Sequence, residues 1–277
     1  MFPITITTPH SYLTYLDANN LYGGATSEAL PIADFTFLAV DEVASFDLNA
    51  TMTFDDYGYI LEVGLKYPEH LHDTHSDYPL ATDKLRIMND ILSAYSSFLI
   101  SKHVTSEKLS PNLYDKTKYV VHCENLRLYL KHGFKLVKVH GILKFRQSAW
   151  IKSYIDFNTA KRRAAKSSFL QFHYKNLNNM LFGKTTESLR KRINLELVTN
   201  PTRAKKLIAK PTTLHWDIIS EKIIVSRPIY LGFCILELSK ITMYKLHYEE
   251  IMGKYGSRPK LAYTDTDSFI YHIKRAT

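Results

Sequence analysis

Two aspartates near the end of the printed sequence are the residues best suited to do chemistry. Asp265 and Asp267 alternate with Thr266 in the segment Tyr-Thr-Asp-Thr-Asp-Ser, and the apolar stretches on either side predict a β-hairpin. In extended geometry both carboxylates project to the same side of the chain. Paired carboxylates bind divalent cations and therefore indicate phosphate chemistry. The same composition also forms turns that bind nothing.

Two upstream segments could complete such a site. Asp17 ends a predicted strand over 11–17, where a following turn can offer its carboxylate, a backbone carbonyl and backbone N–H groups. In a predicted helix, Lys175, Asn179 and Phe182 fall on one face at offsets of four and seven residues. A cation suits a phosphate and an aromatic ring suits a base or sugar. The alternatives are an aspartate that caps its own turn and a half-buried helix whose Phe182 belongs to the core.

The elements that must position these residues form an irregular mixture of strands and helices. We predict a turn from Ala18 that closes on Gly23-Gly24, a helix over 83–101 and a mostly helical stretch over 149–182 that Gly183 ends. The remaining predictions are strands at 35–40, 57–66, 119–122, 134–143, 192–198 and 222–225, helices at 126–131, 202–209 and 229–251, and the hairpin over 260–271. The sequence has no βαβ regularity, which favours an α+β fold.

The charge of the chain is concentrated in one block. The net charge is +9, yet residues 158–210 hold thirteen Lys and Arg against two acids, a net +11 that leaves the remainder near neutral. A basic block of this kind indicates a polyanionic partner, or else an ordinary solvated face. The two cysteines exclude a disulfide framework, and no apolar run is long enough to cross a bilayer. We therefore expect an intracellular protein with no membrane partner.

Three collinear segments together resemble the polymerase motifs of family B DNA polymerases. The first motif is normally Asp-x-x-Ser-Leu-Tyr-Pro and here reads Asp-Ala-Asn-Asn-Leu-Tyr-Gly over 17–23. The second is Lys, three residues and then Asn-Ser-x-Tyr-Gly, and here Lys175 is followed by Asn-Met-Leu-Phe-Gly over 179–183. The third, Tyr-x-Asp-Thr-Asp-Ser, matches at every fixed position over 263–268. Segments 67–80 and 154–159 further resemble the protein-primed, Polinton/Maverick-like branch.

The resemblance implies a site and a set of partners. Asp17, Asp265 and Asp267 would be catalytic, and Asp17, Asp267 and the carbonyl of Ala18 would hold two Mg²⁺ ions, which Mn²⁺ can replace. A dNTP would meet Tyr22, which excludes a ribose 2′-hydroxyl, and the residues Lys175, Asn179, Phe182, Arg162 and Arg163. Primer-template DNA would contact Tyr263, Ser268, Lys184, Arg190 and Lys191. A protein primer, or terminal protein, is a further implied partner, and the resemblance implies a nuclear or virus-associated protein.

The same resemblance implies a domain organisation. Residues 1–24 and 227–277 would form a palm with an antiparallel sheet and packed helices, and 151–183 would form helical fingers. Residues 25–150 would be an insertion that docks the priming protein, and 184–226 a second insertion. We expect the exonuclease and thumb domains to be absent, since 16 residues precede Asp17 and ten follow Asp267.

Three functions are compatible with this organisation. The first is a template-directed DNA polymerase core, in a truncated copy, and the second is an inactive remnant that still binds nucleic acid. The third is a two-metal nuclease, which leaves the Lys175 face unexplained. A histidine cluster, His70, His72 and His75, is predicted to belong to a structural loop rather than to a metal site.

Overall fold

The computed structural model describes residues 11–48, 56–86, 92–99, 107–187, 199–209 and 227–274. The architecture is α+β with antiparallel sheets, as the sequence predicts. None of the helices in these ranges is both long and apolar enough to cross a membrane.

The smaller main sheet joins the two ends of the described chain. Strand β1 (Ser11–Asp17) pairs antiparallel with β9 (Ser268–Lys274), and β9 pairs with β8 (Pro259–Asp265), so the order is β1-β9-β8. One face buries Phe269 and Tyr271 against Leu21 and Met243. The opposite face carries exposed side chains at the β1 positions Leu13, Tyr15 and Asp17. This alternation is the period of a half-buried strand.

The larger sheet lies between the first and second motifs. Its order is β2-β7-β3-β6, formed by β2 (Leu30–Phe37), β7 (Lys135–Ser148), β3 (Tyr57–Lys66) and β6 (Lys116–His122). Helix α5 (Cys123–Lys131) follows β6 and packs on this sheet through Leu126 and Tyr129, both of which are fully buried. Gly133 has a φ of +95° just beyond the helix, as expected for the residue that ends it.

Short elements connect these sheets. They are α1 (Leu21–Thr26), α2 (Val40–Ala44), α3 (His72–His75) after a 3-10 turn at Glu69–Leu71, the two-stranded pair β4 (Asp83–Leu85) and β5 (Lys108–Ser110), α4 (Ala94–Leu99), α8 (Pro201–Ile208) and α10 (Met252–Tyr255). The predicted start of α8 is confirmed, since Asn200 Oδ1 accepts the N–H groups of Thr202 and Arg203 at 2.9 and 3.2 Å.

Two long helices that pack on each other support the site. Helix α6 (Lys152–Ala164) packs on α7 (Ser168–Thr185), and both contact α1. The mostly helical stretch predicted over 149–182 consists of these two helices, which are separated at Ala165, where a ψ of 125° is extended. The strands predicted at 192–198 and 222–225 lie outside the described residues. Gly183 does not end α7, because the chain keeps its helical hydrogen bonds as far as Thr185.

Two other local predictions are also wrong. Gly23 and Gly24 lie inside α1 rather than in a turn, because Leu21 and Ala25 on the same helix are buried and their packing outweighs the low helix propensity of glycine. The segment predicted as a helix over 83–101 begins with β4, whose pairing with β5 satisfies its backbone groups, and only Ala94–Leu99 is helical among its described residues.

Helix α9 (Ile229–Lys245) ties the two sheets together. It continues into a π-helical segment, Leu246–Ile251, before α10. Its Glu237 is 2% exposed, accepts Asn125 Nδ2 at 2.8 Å and the His122 N–H at 3.3 Å, and pairs with Lys240 at 2.7 Å. A buried carboxylate needs such partners, and here they fix α9 against the start of α5.

Candidate functional site

The sheet register places the aspartates of the first and third motifs in one row. Asp17 at the end of β1 pairs with Ser268 of β9, and Ser268 pairs on its other side with Asp265 of β8. Directly opposed residues of antiparallel strands project to the same face. Asp17 and Asp265 therefore flank Ser268 on the exposed face, although they lie 248 positions apart in the sequence.

The turn between β8 and β9 presents Asp267 next to this row. Asp265 pairs with Ser268, so Thr266 and Asp267 form a two-residue turn, and Thr266 has a φ of +46°. Thr266 Oγ1 donates to Asp265 Oδ1 at 3.2 Å, and Ser268 Oγ donates to the Asp265 carbonyl at 3.1 Å. A β-branched residue rarely adopts a positive φ. These hydrogen bonds hold the turn in that conformation.

One backbone hydrogen bond joins the first motif directly to the turn. The Ala18 N–H donates to the Asp267 carbonyl at 2.7 Å, immediately after Asp17 leaves β1. The bond fixes the backbone of Asp267 against that of Ala18. The two aspartates that the resemblance assigns to metal binding are thereby brought to the same end of the sheet.

The negative charge at this end of the sheet contributes to the raised pKa values of two tyrosines. Tyr15 Oη donates to Asp17 Oδ2 at 3.0 Å, and this hydrogen bond is the main reason that the pKa of Tyr15 is raised. Burial raises the pKa of Tyr22, and the charge of Asp267 adds to that effect. Neighbouring anions oppose the loss of a further proton. Tyr15 and Tyr22 therefore border the carboxylate group on two sides.

The donor chemistry fits a hard divalent cation. Asp17 and Asp265 are exposed and Asp267 is half-buried, so carboxylate oxygens are open to solvent. Mg²⁺ is bound by one or two carboxylates together with waters and substrate phosphates rather than by a complete protein cage. Across the described ranges, no group of three or more His, Cys, Asp or Glu residues is arranged to hold a metal. The ligands that the sequence resemblance implies, Asp17, Asp267 and the carbonyl of Ala18, are oxygen donors of this kind, and they lie at the same end of the sheet.

The first and second motifs meet through a stacked aromatic pair. Tyr22 of α1 and Phe182 of α7 lie with ring centroids 4.3 Å apart and planes inclined by 8°. Both rings pack on the cluster that contains Ala25, Leu231 and Ile235. The stack fixes α7 beside the carboxylates, because Tyr22 follows Asp17 by five residues.

A polar cavity of about 480 Å³ opens beside the turn that precedes α1. The turn before α1, helix α6 and the start of α7 line it with Asn19, Asn20, Thr159, Arg162, Arg163 and Gln171. Two guanidinium groups and no carboxylate line the cavity, which favours an anionic occupant such as a phosphate. Arg162 and Arg163, which were predicted to bind nucleotide, therefore lie in a space where they can contact one.

The other predicted nucleotide contacts are accessible but lie outside that lining. Lys175 and Asn179 are exposed on α7. Between them, Asn178 is buried and donates to Thr159 Oγ1 at 3.4 Å, which ties α7 to α6. A nucleotide that contacts Lys175 and Arg162 together would have to bridge the two helices.

The predicted DNA contacts differ in their surroundings. Tyr263 is 54% exposed on the same sheet face as Asp265, whereas Ser268 is buried and bonded within the turn. Lys184 is exposed and pairs with Glu187 at 3.4 Å, and Glu187 also pairs with Arg227 at 2.8 Å. Arg190 and Lys191 lie outside the described residues.

Sequence reasoning missed several residues of the site. Asn20 was noted only as a departure from serine, yet its side chain lies over Gly23, where an added Cβ would meet Asn20 Nδ2 at 2.2 Å. A side chain added at Gly23 would therefore require the Asn20 side chain to move. The contact between Tyr15 and Asp17 could have been found, because residues i and i+2 of a strand share a face. Gln171 carried no signal.

Two members of the histidine cluster contact the residue that follows β3. His75 is buried, and its Nδ1 lies 2.9 Å from Tyr67 Oη. His72 Nε2 lies 3.3 Å from the Tyr67 carbonyl. These contacts hold α3 against Tyr67, and the structural role of the cluster stays a prediction.

Comparisons with known proteins bear on the fold. No protein-family model matches the sequence, and a comparison with curated proteins found no match. A solved structure of Phi29 DNA polymerase, in an orthorhombic crystal form, is 14% identical with a TM-score of 0.50, over 98% of this chain and 39% of that one. Phi29 DNA polymerase complexed with primer-template DNA and incoming nucleotide substrates is 16% identical with a TM-score of 0.47, over 97% and 42%. The chain thus spans about two fifths of the length of these polymerases, and its fold is similar to that of the matching part of Phi29 DNA polymerase.

Proposed function

We propose that the chain is the core of a template-directed DNA polymerase that transfers a nucleotide from a dNTP to a primer 3′-hydroxyl. The observation that carries this proposal is the meeting of the three motifs. The register joins Asp17 to the Asp265–Asp267 turn, and the stack of Tyr22 on Phe182 brings α7 to the same place. A cavity with two arginines lies beside them.

In this proposal Asp17, Asp267 and the Ala18 carbonyl hold the divalent ions. Two bound Mg²⁺ ions would activate the primer hydroxyl and stabilise the developing charge on the phosphates. The Ala18–Asp267 hydrogen bond keeps the two motifs in register while these ligands act. Asp265 supports the turn by accepting from Thr266, and its carboxylate adds negative charge to the same face.

The remaining residues bind and orient the substrates. Arg162 and Arg163 provide paired N–H donors that match the oxygens of a triphosphate. Tyr22, held in place by Phe182, limits the space beside the sugar and so excludes a ribose. Exposed Tyr263 offers a ring to the primer on the carboxylate face of the sheet.

The finer assignment to the protein-primed, Polinton-like branch is also a proposal. It is supported by the segments over 67–80 and 154–159 of the sequence. In that assignment the terminal protein docks on the region 25–150, which contains the four-stranded sheet and α5. Lys184, Arg190 and Lys191 would contact DNA.

Single-nucleotide primer extension tests the proposed function and separates it from the alternatives. The chain is incubated with a labelled primer-template, Mg²⁺ and each dNTP in turn. We expect addition of the complementary nucleotide only, by the wild-type chain and by a control Asp73→Asn variant, and almost none by Asp17→Asn. Salt-sensitive DNA binding without incorporation would instead support a binding remnant, and shortening of the DNA without dNTPs would support a nuclease.

A further inference from the structure

The segment that follows β3 of the larger sheet extends to the edge of the three-stranded sheet, which carries Asp17 and Asp265. The chain leaves β3 at Lys66, passes through α3 and arrives beside β8 at Asp77. Asp77 Oδ2 accepts the Leu261 N–H at 3.2 Å, and its Oδ1 lies 2.8 Å from Lys260 Nζ. Asp77 therefore contacts two consecutive residues of β8.

The position of Leu261 makes this contact more than a surface ion pair. Strand β8 is the outer strand of its sheet, and its pairing with β9 shifts register between Leu261 and Tyr263. An irregularity of this kind leaves backbone groups without a ladder partner and re-aims the strand. The Asp77 carboxylate is only 22% exposed, and it satisfies one such N–H four residues before Asp265.

The next residue, Tyr78, contacts the buried face of the same sheet. The Tyr78 ring lies 5.1 Å from the Phe269 ring and 5.3 Å from that of His247, and the Tyr78 carbonyl accepts Tyr248 Oη at 2.6 Å. Phe269 is fully buried and sits in the row next to Asp17, Ser268 and Asp265. Asp77 thus contacts the outer edge of the three-stranded sheet, and Tyr78 contacts its buried face.

We propose that Asp77 is a positioning residue for the catalytic carboxylates, which acts by fixing the bulged end of β8 and through it the Asp265–Asp267 turn. The inference rests on the proposed function for the role of that turn, whereas the contact itself belongs to the fold. Loss of the carboxylate frees the Leu261 N–H and lets β8 and the turn move relative to β1. A metal ion that needs ligands from both β1 and the turn then binds more weakly.

The test uses two variants of Asp77 and one matched control in the full chain. Asp77→Ala removes both contacts, while Asp77→Asn keeps an oxygen acceptor for the Leu261 N–H and loses the ion pair with Lys260. Asp34→Ala removes a different exposed carboxylate, which pairs with Arg146 at 3.2 Å on the larger sheet. Circular dichroism and the melting temperature verify that each variant is folded.

Two measurements that do not depend on catalysis detect the effect of the Asp77 substitutions. Hydrogen–deuterium exchange of peptides over 259–274 reports the mobility of the hairpin, and Tb³⁺ luminescence, excited through nearby tyrosines such as Tyr15, reports cation binding. We expect at least about tenfold faster exchange in this hairpin for Asp77→Ala, since a hydrogen bond to a charged group is lost. We also expect weaker Tb³⁺ binding, a smaller change in Asp77→Asn and none in Asp34→Ala.

Each outcome decides one of the two claims. Unchanged exchange over 259–274 in Asp77→Ala would overturn the proposed positioning role, and so would faster exchange with unchanged Tb³⁺ affinity. An Asp267→Ala variant that binds Tb³⁺ as tightly as the wild type would instead contradict the metal site of the proposed function. In that event the exchange measurement still decides whether Asp77 fixes the hairpin.

Discussion

Three buried histidines predict that mild acidification lowers the free energy of unfolding. His75, His122 and His247 are 5%, 3% and 1% exposed. Burial is the main cause that lowers the pKa of each to about 4. The positive charges of neighbouring histidines add to the effect at His75, whereas the negative charges of Asp77 and Glu237 oppose it at His247 and His122.

The direction of the pH dependence follows from these pKa values. An unfolded histidine has a pKa of about 6.5. Between pH 6.5 and 4 the unfolded chain therefore binds protons that the folded chain does not, and the free energy of unfolding falls as the pH falls. The stabilising contribution is fully present above about pH 6.5 and is lost as the pH decreases toward about 4.

The size of the effect is comparable to the stability of the fold. A tenfold difference in proton affinity corresponds to about 1.4 kcal/mol. At pH 5 each histidine would remove at most about 2 kcal/mol, so the three together would remove up to about 6 kcal/mol. Proteins of this kind are stable by roughly 5–15 kcal/mol. His75 and His247 belong to one aromatic cluster, which makes their contributions non-additive.

Urea unfolding between pH 7.5 and 5, followed by circular dichroism, measures this dependence. His122→Asn is the sharpest variant, because asparagine can still cap α5 by accepting the Glu124 N–H, as His122 Nδ1 does at 3.3 Å. We expect this variant to keep most of its stability at pH 7.5 and to lose less on acidification. An exposed control, His173→Gln, should follow the wild type. Equal stability of the wild type at pH 7.5 and pH 5 would refute the reasoning.

Three further predictions address the parts that hold the site. Glu237→Leu leaves its buried partners unpaired and should cost about 3–5 kcal/mol in urea unfolding, and a loss no larger than that of Glu237→Gln would contradict this. Gly23→Ala places a Cβ against Asn20 and should lower the free energy of unfolding by about 1–3 kcal/mol. A second substitution, Asn20→Ala, should restore part of that free energy, and no recovery would contradict the steric contact between the two residues. Tyr22→Ala should raise ribonucleotide relative to deoxynucleotide use by roughly tenfold or more in kcat/KM, whereas an unchanged ratio would remove Tyr22 from sugar selection.

The strands that carry the candidate site could be predicted because their sequence signals are local. The alternation of Tyr15 and Asp17 with apolar residues predicts β1, and the acidic pair between two apolar stretches predicts the hairpin of β8 and β9. The meeting of these elements depends on strand register across 248 positions, which composition and spacing do not encode. Only the collinear motifs indicated that Asp17 and Asp267 belong together.

The three wrong predictions made for glycine residues share one physical cause. Gly23, Gly24 and Gly183 were interpreted by the intrinsic preference of glycine for turns and helix ends, and each lies inside a helix. Tertiary packing of α1 and α7 overrides that weak preference. The missed residues, Asn20 and Asp77, act through contacts with residues whose positions only the folded chain defines.

The most direct test of the central claim is the rate of single-nucleotide incorporation by the wild-type chain and by Asp267→Asn on the same primer-template. The proposed role of Asp267 predicts template-directed incorporation by the wild type in Mg²⁺ and a reduction of more than about a hundredfold in the variant, since a lost metal ligand removes several kcal/mol of transition-state stabilisation. Equal rates for the two chains would contradict the assignment of Asp267 and, with it, the proposed active site.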